Sequence, residues 1–158
     1  MRVDALQMFD KYGKSKLGRW FFSRVVCFKA PYFASISPTI ERLERGLCVA
    51  SMQQRRSVQN HIGTVHAIAL CNLAELTAGV VAEASIPKGS RWIPKGMTVR
   101  YLAKASGRMT ATTRVPLFAL EEIGAGKDMI CSVDIKDPSG KSVLGGEINM
   151  WVTVQKPS

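Results

Sequence analysis

The run Gly63–Ala82, GTVHAIALCNLAELTAGVVA, constrains the fold of this chain more than any other stretch. It is apolar on almost every face of a helix, yet it carries His66, Asn72 and Glu75. A helix apolar all round has to be covered by protein or by lipid. Its length suffices for the ~30 Å of a bilayer core, but the three polar residues would need a second span to shelter them. No comparable second run exists in the sequence, so no membrane span is expected. The expectation is a buried helix from about Thr64 to Glu83. Its small residues, Ala67, Ala69, Ala74, Ala78, Gly79 and Ala82, let a sheet close tightly around it.

The flanks supply that sheet. Strand-like alternation runs over Ile36–Arg42 and Leu47–Gln53, with a Glu-Arg-Gly turn between them. After the helix, SIPKGSRWIPKG reads as a stop through its two prolines and two glycines. Strands are then expected near Met97–Ala105, Arg108–Ala119, Asp128–Ile135 and Lys141–Val154. The turn sequence DPSG joins the last two. Ahead of everything, Asp4–Phe22 reads as one amphipathic helix through Leu6, Phe9, Tyr12 and Leu17. The order of helix, two strands, long helix and four strands indicates an α+β domain, with the long helix laid on a curled antiparallel sheet. A length of 158 residues fits one domain. Residues 1–34 are expected to form an N-terminal helical extension packed on the body at 35–158. This extension holds eight of the twelve aromatics, which either pack on the core or line a tunnel for an apolar ligand.

Charge and cysteine narrow the function. The net charge is +10, and between Ala84 and Leu120 there are seven basic residues and no acid. At period two, Arg100 and Lys104 share one strand face and Val99, Tyr101 and Ala103 the other, so one sheet face reads as basic. That face is either simply solvated or built for phosphate groups. No basic-aromatic recognition motif accompanies the charge, so nucleic acid is not an expected partner. Cys27, Cys48, Cys71 and Cys131 lack CxxC spacing and the chain has two histidines, so the thiols read as reduced core residues and no metal site is expected. The charged N-terminus lacks the apolar core of a secretory signal, so a cytoplasmic location is expected.

Glu75 is the most informative residue, because a carboxylate inside an apolar helix is costly unless it is paired or faces a wet pocket. At the helix entrance, Gly63 and Thr64 precede backbone N–H groups near Val65, His66 and Ala67 that lack intrahelical partners, with Asn60, His61 and His66 crowded beside them. Such donors stabilise negative charge developing on an oxygen. His66 and Glu75 are nine residues apart, about half a turn out of phase and ~13.5 Å along the axis. One chain cannot join them in a single site. A symmetric dimer would carry two shared sites. Asn72, one turn from Glu75, is expected to hydrogen-bond it or a neighbouring backbone group.

The pattern NxxGTxHxxxxxxxxxE, made of Asn60, Gly63, Thr64, His66 and Glu75, resembles the hotdog-fold thioesterase superfamily. The likeness is to its phenylacetyl-CoA thioesterase-like branch, and more closely to a poorly characterised bacterial thioesterase-like group. It extends from about Ser37 to Val154. The resemblance implies hydrolysis of an acyl-CoA or acyl-carrier thioester by a homodimer or dimer of dimers, with coenzyme A as part of the substrate and no separate cofactor. It implies Glu75 as nucleophile or water-activating base, Asn60 holding the water or carbonyl, and His66 with the Ala67 N–H, on the turn made by Gly63, polarising the thioester. Arg55, Arg56, Arg100 and Lys104 are the candidate phosphate ligands, and His61 either braces the loop or takes part. The sequence departs from the family where His-Gly-Gly is usual and HAI stands here, and where some relatives carry a catalytic Ser or Thr near Pro94–Lys95. One alternative is a noncatalytic acyl-CoA or acyl-carrier binding protein. Another is a hydroxyacyl dehydratase or hydratase, whose His and Glu stand fourteen residues apart as His61 and Glu75 do, though the Pro-rich loop of those enzymes is absent.

Overall fold

The computed structural model describes residues 4–155. Three α-helices, α1 (Ala5–Tyr12), α2 (Lys16–Lys29) and α3 (Ala67–Ser85), accompany six strands. The strands are β1 (Thr39–Glu44), β2 (Leu47–Met52), β3 (Ser90–Tyr101), β4 (Met109–Arg114), β5 (Lys127–Lys136) and β6 (Ser142–Val154). All pair antiparallel in one sheet of order β1-β2-β4-β5-β6-β3. The apolar helix α3 touches all six strands. Six strands at ~4.8 Å spacing make a sheet about twice as wide as a helix of 10–12 Å diameter, so the sheet has to curl to reach α3 from both edges. This is the expected hotdog architecture.

Burial explains the packing. Leu73, Ala74, Leu76, Ala78, Val81 and Ala82 of α3 are fully enclosed, against Ala50, Met109, Met129 and Ile135 from the sheet. Each large side chain of this kind contributes ~1.5–3 kcal/mol by leaving water. One polar contact crosses the interior, where the Thr77 hydroxyl lies 2.6 Å from that of Thr113 on β4 and also reaches the Leu73 and Ala74 carbonyls. Both threonines are fully buried. Thr77→Val is therefore expected to cost about 1–3 kcal/mol in urea unfolding, by orphaning the Thr113 hydroxyl, and the double change to valine to recover most of that loss.

Several boundaries differ from the sequence reading. The helix starts at Ala67 rather than Thr64, because His66 is its N-cap and the residues before it are held by distant partners. The Val65 N–H donates to the Ala105 carbonyl at 2.8 Å and the His66 N–H to the Val58 carbonyl at 2.8 Å. The stretch read as a stop after α3 contains the start of β3, which runs from Ser90 through Pro94. Proline is tolerated there because β3 is an edge strand with a register shift between Pro94 and Gly96. At its other end β3 closes at Tyr101, so Lys104 lies in a loop and shares no strand face with Arg100. β4 is shorter than expected, ending at Arg114.

The N-terminal segment forms two helices rather than one. Asp4 caps α1 by accepting from the Leu6 and Gln7 N–H groups, and Ser15 caps α2 by accepting from the Gly18 N–H. At Gly18 a Cβ would lie 1.6 Å from the Tyr12 carbonyl oxygen, so only glycine permits this approach of the two helices. Ser23 ties α2 to the sheet by accepting from the Ile40 N–H at 2.8 Å while donating to the Arg19 carbonyl. The aromatics divide. Phe9 and Phe22 are buried edge-to-face at 5.1 Å, whereas Trp20, Phe21, Phe28 and Tyr32 are exposed.

The outer sheet face carries both signs. Arg108 pairs with Glu41, Lys95 with Asp128 at 3.1 Å, and Lys136 with Asp134 at 3.7 Å. The acids come from β1 and β5, strands that period-two reading of the basic segment alone does not place beside it. Cys27, Cys48 and Cys131 are buried free thiols, and burial pushes the Cys131 thiol up to about 12.

Candidate active site

A groove between α3 and the edge strand β3 gathers the polar residues of the opening stretch. The two elements run in opposite directions. Trp92 sits beside Gly79 and Glu83, Pro94–Met97 beside Glu75, Tyr101 beside Cys71, and the loop Leu102–Ala105 beside Ala67 and Leu70. Read along β3, the groove thus passes from the C-terminal half of α3 to its entrance.

Glu75 is half-buried in a recess of about 280 Å³ walled by Pro94, Lys95, Gly96, Met97 and Ile148. Among the described residues it has no hydrogen-bond or ion-pair partner. The recess wall includes Lys95, but its ammonium is engaged by Asp128. Asn72 does not reach Glu75. Its amide nitrogen donates to the Ser35 hydroxyl at 3.0 Å, because on α3 it faces the short 3₁₀ turn Pro31–Ile36, and its buried oxygen has no partner among the described residues.

At the helix entrance the loop is held by its own side chains. Asn60 donates to the Thr64 hydroxyl at 2.8 Å and accepts from the Ile62 and Thr64 N–H groups, each at 3.1 Å. The Asn60 amide thus braces the turn. Gln54 clamps it from outside, donating to the Gly63 carbonyl at 2.8 Å and accepting from the Gly107 N–H. Gly63 has φ +80°, a left-handed backbone that favours glycine. His66 Nδ1 accepts from the Ile68 N–H at 3.1 Å, so the imidazole serves as the cap. Of the three N–H groups expected to be free, Val65 and His66 are taken. Ala67 alone keeps a donor without a partner among the described residues, at the positive end of the α3 dipole. His61 is exposed beside this loop.

Asn60, Thr64, Ala67, Tyr101 and Lys104 line one entrance pocket of about 320 Å³. Glu75 is not among them, since eight residues of helix, ~12 Å, separate it from Ala67. Tyr101 was not singled out as a site residue by the sequence. Its phenol is 3.2 Å from the Cys71 thiol, and this hydrogen bond holds the phenol above its ordinary range. The signal was its place on the inner face of a strand, which also suits packing. Of the other candidate cations, Arg55 donates to the Ser35 carbonyl at 2.7 Å, while Arg56 and Arg100 are exposed. No group of three His, Cys, Asp or Glu among the described residues is placed to hold a metal ion.

A family model described as a domain of unknown function (DUF4442) matches residues 18–152. A structural-genomics crystal structure, APC5556, is 42% identical over 95% of this chain and 98% of its own, with a TM-score of 0.81. A protein of unknown function from Pseudomonas aeruginosa, PA5026, described as a probable thioesterase, is 21% identical over 84% of this chain and 93% of its own, with a TM-score of 0.75. A hypothetical thioesterase protein with coenzyme A from Streptococcus pneumoniae is 18% identical over 83% and 99%, with a TM-score of 0.67. The fold is that of the hotdog thioesterases. No curated protein matches the chain.

Proposed function

The chain belongs to the family described as a domain of unknown function (DUF4442), and we propose that it is a thioesterase hydrolysing acyl-CoA or acyl-carrier thioesters at a site divided between two copies of the chain. The observation that carries this reading is Glu75, a half-buried carboxylate without a partner among the described residues, set in a groove beside an unpaired sheet edge. A carboxylate so placed takes a proton from water as that water attacks the thioester carbonyl, or attacks the carbonyl itself. In either route the carbonyl oxygen gains negative charge and the C–S bond breaks; in the first the proton held by Glu75 passes to the departing sulfur, and in the second the sulfur takes a proton from solvent while the acyl group stays on Glu75 as a mixed anhydride until water hydrolyses it. The Ala67 N–H is the donor suited to that oxygen.

The ~12 Å between Ala67 and Glu75 requires the second copy. β3 bonds only β6 among the described residues and presents its other side as a free edge. The Leu102 N–H donates to the Val143 carbonyl across the β3–β6 pair. Antiparallel alternation then directs Thr98 and Arg100 toward β6 and leaves the N–H and C=O of Met97, Val99 and Tyr101 on the free edge. Two copies pairing along this edge about a two-fold at Val99 would set Val99 opposite itself and Pro94–Met97 opposite Tyr101–Lys104. The recess of Glu75 in one copy then meets the entrance pocket of the other. Asn60 and His66 hold the loop that aims the Ala67 N–H, and His66 Nε2 has no partner beside it among the described residues. Lys104 in the entrance pocket, with exposed Arg56 and Arg100, supplies cations for phosphate groups. The coenzyme A in the Streptococcus pneumoniae structure supports coenzyme A as the thiol portion here.

Thiol release from acetyl-, octanoyl- and phenylacetyl-CoA tests the reading directly. Release from at least one ester at enzymatic rates is expected. Silence across the panel, with esters still bound, would favour a noncatalytic acyl-CoA binding protein.

A further inference from the structure

A third cavity lies beyond Glu75, toward the C-terminal half of α3. It has a volume of about 360 Å³ and lies between α3 and the two N-terminal helices. Met8, Val25, Val26 and Phe33 face Leu76 and Val80 across it. Its boundary with the groove is Trp92. The indole packs on Gly79, where a Cβ would come within 3.1 Å of the ring, and its Nε1–H donates to Glu83 at 2.9 Å. Gly79 is one turn from Glu75 on α3, and Trp92 is two residues from Pro94 on β3. The two recesses therefore follow one another along α3, with Trp92 of β3 standing between them.

We infer that this cavity receives the apolar tail of the acyl group whose thioester lies at Glu75, which makes medium-chain acyl thioesters the preferred substrate class; the inference rests on the thioesterase reading for the position of the carbonyl. The lining is almost wholly apolar, so it offers a fatty chain burial and gives a short polar acyl group nothing to gain. From Glu75 to Glu83 the helix advances ~12 Å, and a zigzag of carbon–carbon bonds advancing about 1.3 Å per carbon covers that distance with about eight to ten carbons. The absence of a side chain at Gly79 lets the Trp92 ring lie against α3 at this boundary, since a Cβ there would come within 3.1 Å of the indole, so a tail entering the cavity has to pass beside that ring. The N-terminal helices thus act as the far wall of an acyl site, and the chain length accepted is set by how they pack on α3.

The test measures binding and hydrolysis separately. Binding of acetyl-, octanoyl- and decanoyl-CoA is measured by calorimetry on full-length Glu75→Gln, in which the ester survives, and on the same protein carrying Val25→Phe or Gly79→Leu. Each methylene moved from water into an apolar cavity raises affinity about fourfold. Octanoyl-CoA is expected to bind at least tenfold more tightly than acetyl-CoA. Val25→Phe, which fills the cavity from the surface-facing helix, is expected to erase most of that ratio without weakening acetyl-CoA binding. Gly79→Leu is expected to do the same from the α3 wall, and either variant suffices if the other does not fold. Equal affinity for acetyl and octanoyl esters, or a ratio unchanged by a folded filling variant, overturns the inference even if esters are hydrolysed. A chain-length preference abolished by Val25→Phe, with no hydrolysis by wild type, would sustain the acyl site and overturn the thioesterase reading.

Discussion

Glu75→Gln is expected to lower kcat for thioester hydrolysis by about 10²–10⁴-fold, the range associated with losing a positioned general base. Glutamine keeps the shape and the hydrogen-bonding reach of the side chain and removes only its basicity and negative charge. Glu75 makes no hydrogen bond or ion pair within the described residues, so no network collapses when the charge goes. Thermal unfolding should be unchanged or slightly raised, because a half-buried charge is replaced by a neutral amide. KM should hold close to the wild-type value, since the recess of Pro94, Gly96, Met97 and Ile148 is intact. A fall confined to kcat identifies an interaction made during the chemical step. A variant retaining more than a tenth of wild-type kcat would remove Glu75 from the chemistry.

The elements that were legible in the sequence are those written in local pattern. α3 announced itself because an apolar run of that length carrying His66, Asn72 and Glu75 has to be covered by protein, and β5 and β6 because Asp137–Gly140 is a turn sequence whose Asp137 accepts from Ser139 and Lys141. What failed were positions decided by partners far along the chain. The prolines of the stretch after α3 read as breakers, yet Pro94 is accommodated at a sheet edge and bulge, and edge placement follows from strand order. The start of α3 depends on Ala105, forty residues beyond Val65, which takes the donor that would otherwise open the helix. Asn72 lies one turn from Glu75, but its partner is Ser35, thirty-seven residues away. The entrance cluster of Asn60, Gly63 and His66 was visible from spacing. That its side chains brace the loop, leaving Ala67 as the open donor, was not, because the competition among Asn60, Thr64, Val58 and Ala105 for those hydrogen bonds is settled only in three dimensions.

Under the proposed division of the site between two copies, the separation of Ala67 from Glu75 makes the sheet edge as important to hydrolysis as either residue. Val99→Pro is expected to convert a dimer into a monomer in light-scattering measurements and to reduce hydrolysis to near the level of Glu75→Gln, although both site residues remain in the chain. The direction of the Val99 N–H decides the choice. It points to the free edge, so proline there removes no bond to β6, and edge strands are where proline is tolerated. The cost falls on the interface, where the missing donor and the ring obstruct strand pairing at the two-fold itself. Thr98→Pro is the control. Its N–H faces β6, so the same substitution one residue earlier should lower stability, by interrupting the β3–β6 pair that carries the inner wall of the site. A folded Val99→Pro protein that is monomeric and inactive would establish that hydrolysis needs two chains. One that is monomeric and fully active would mean that a single chain brings a carbonyl donor to Glu75, and the shared site would be wrong.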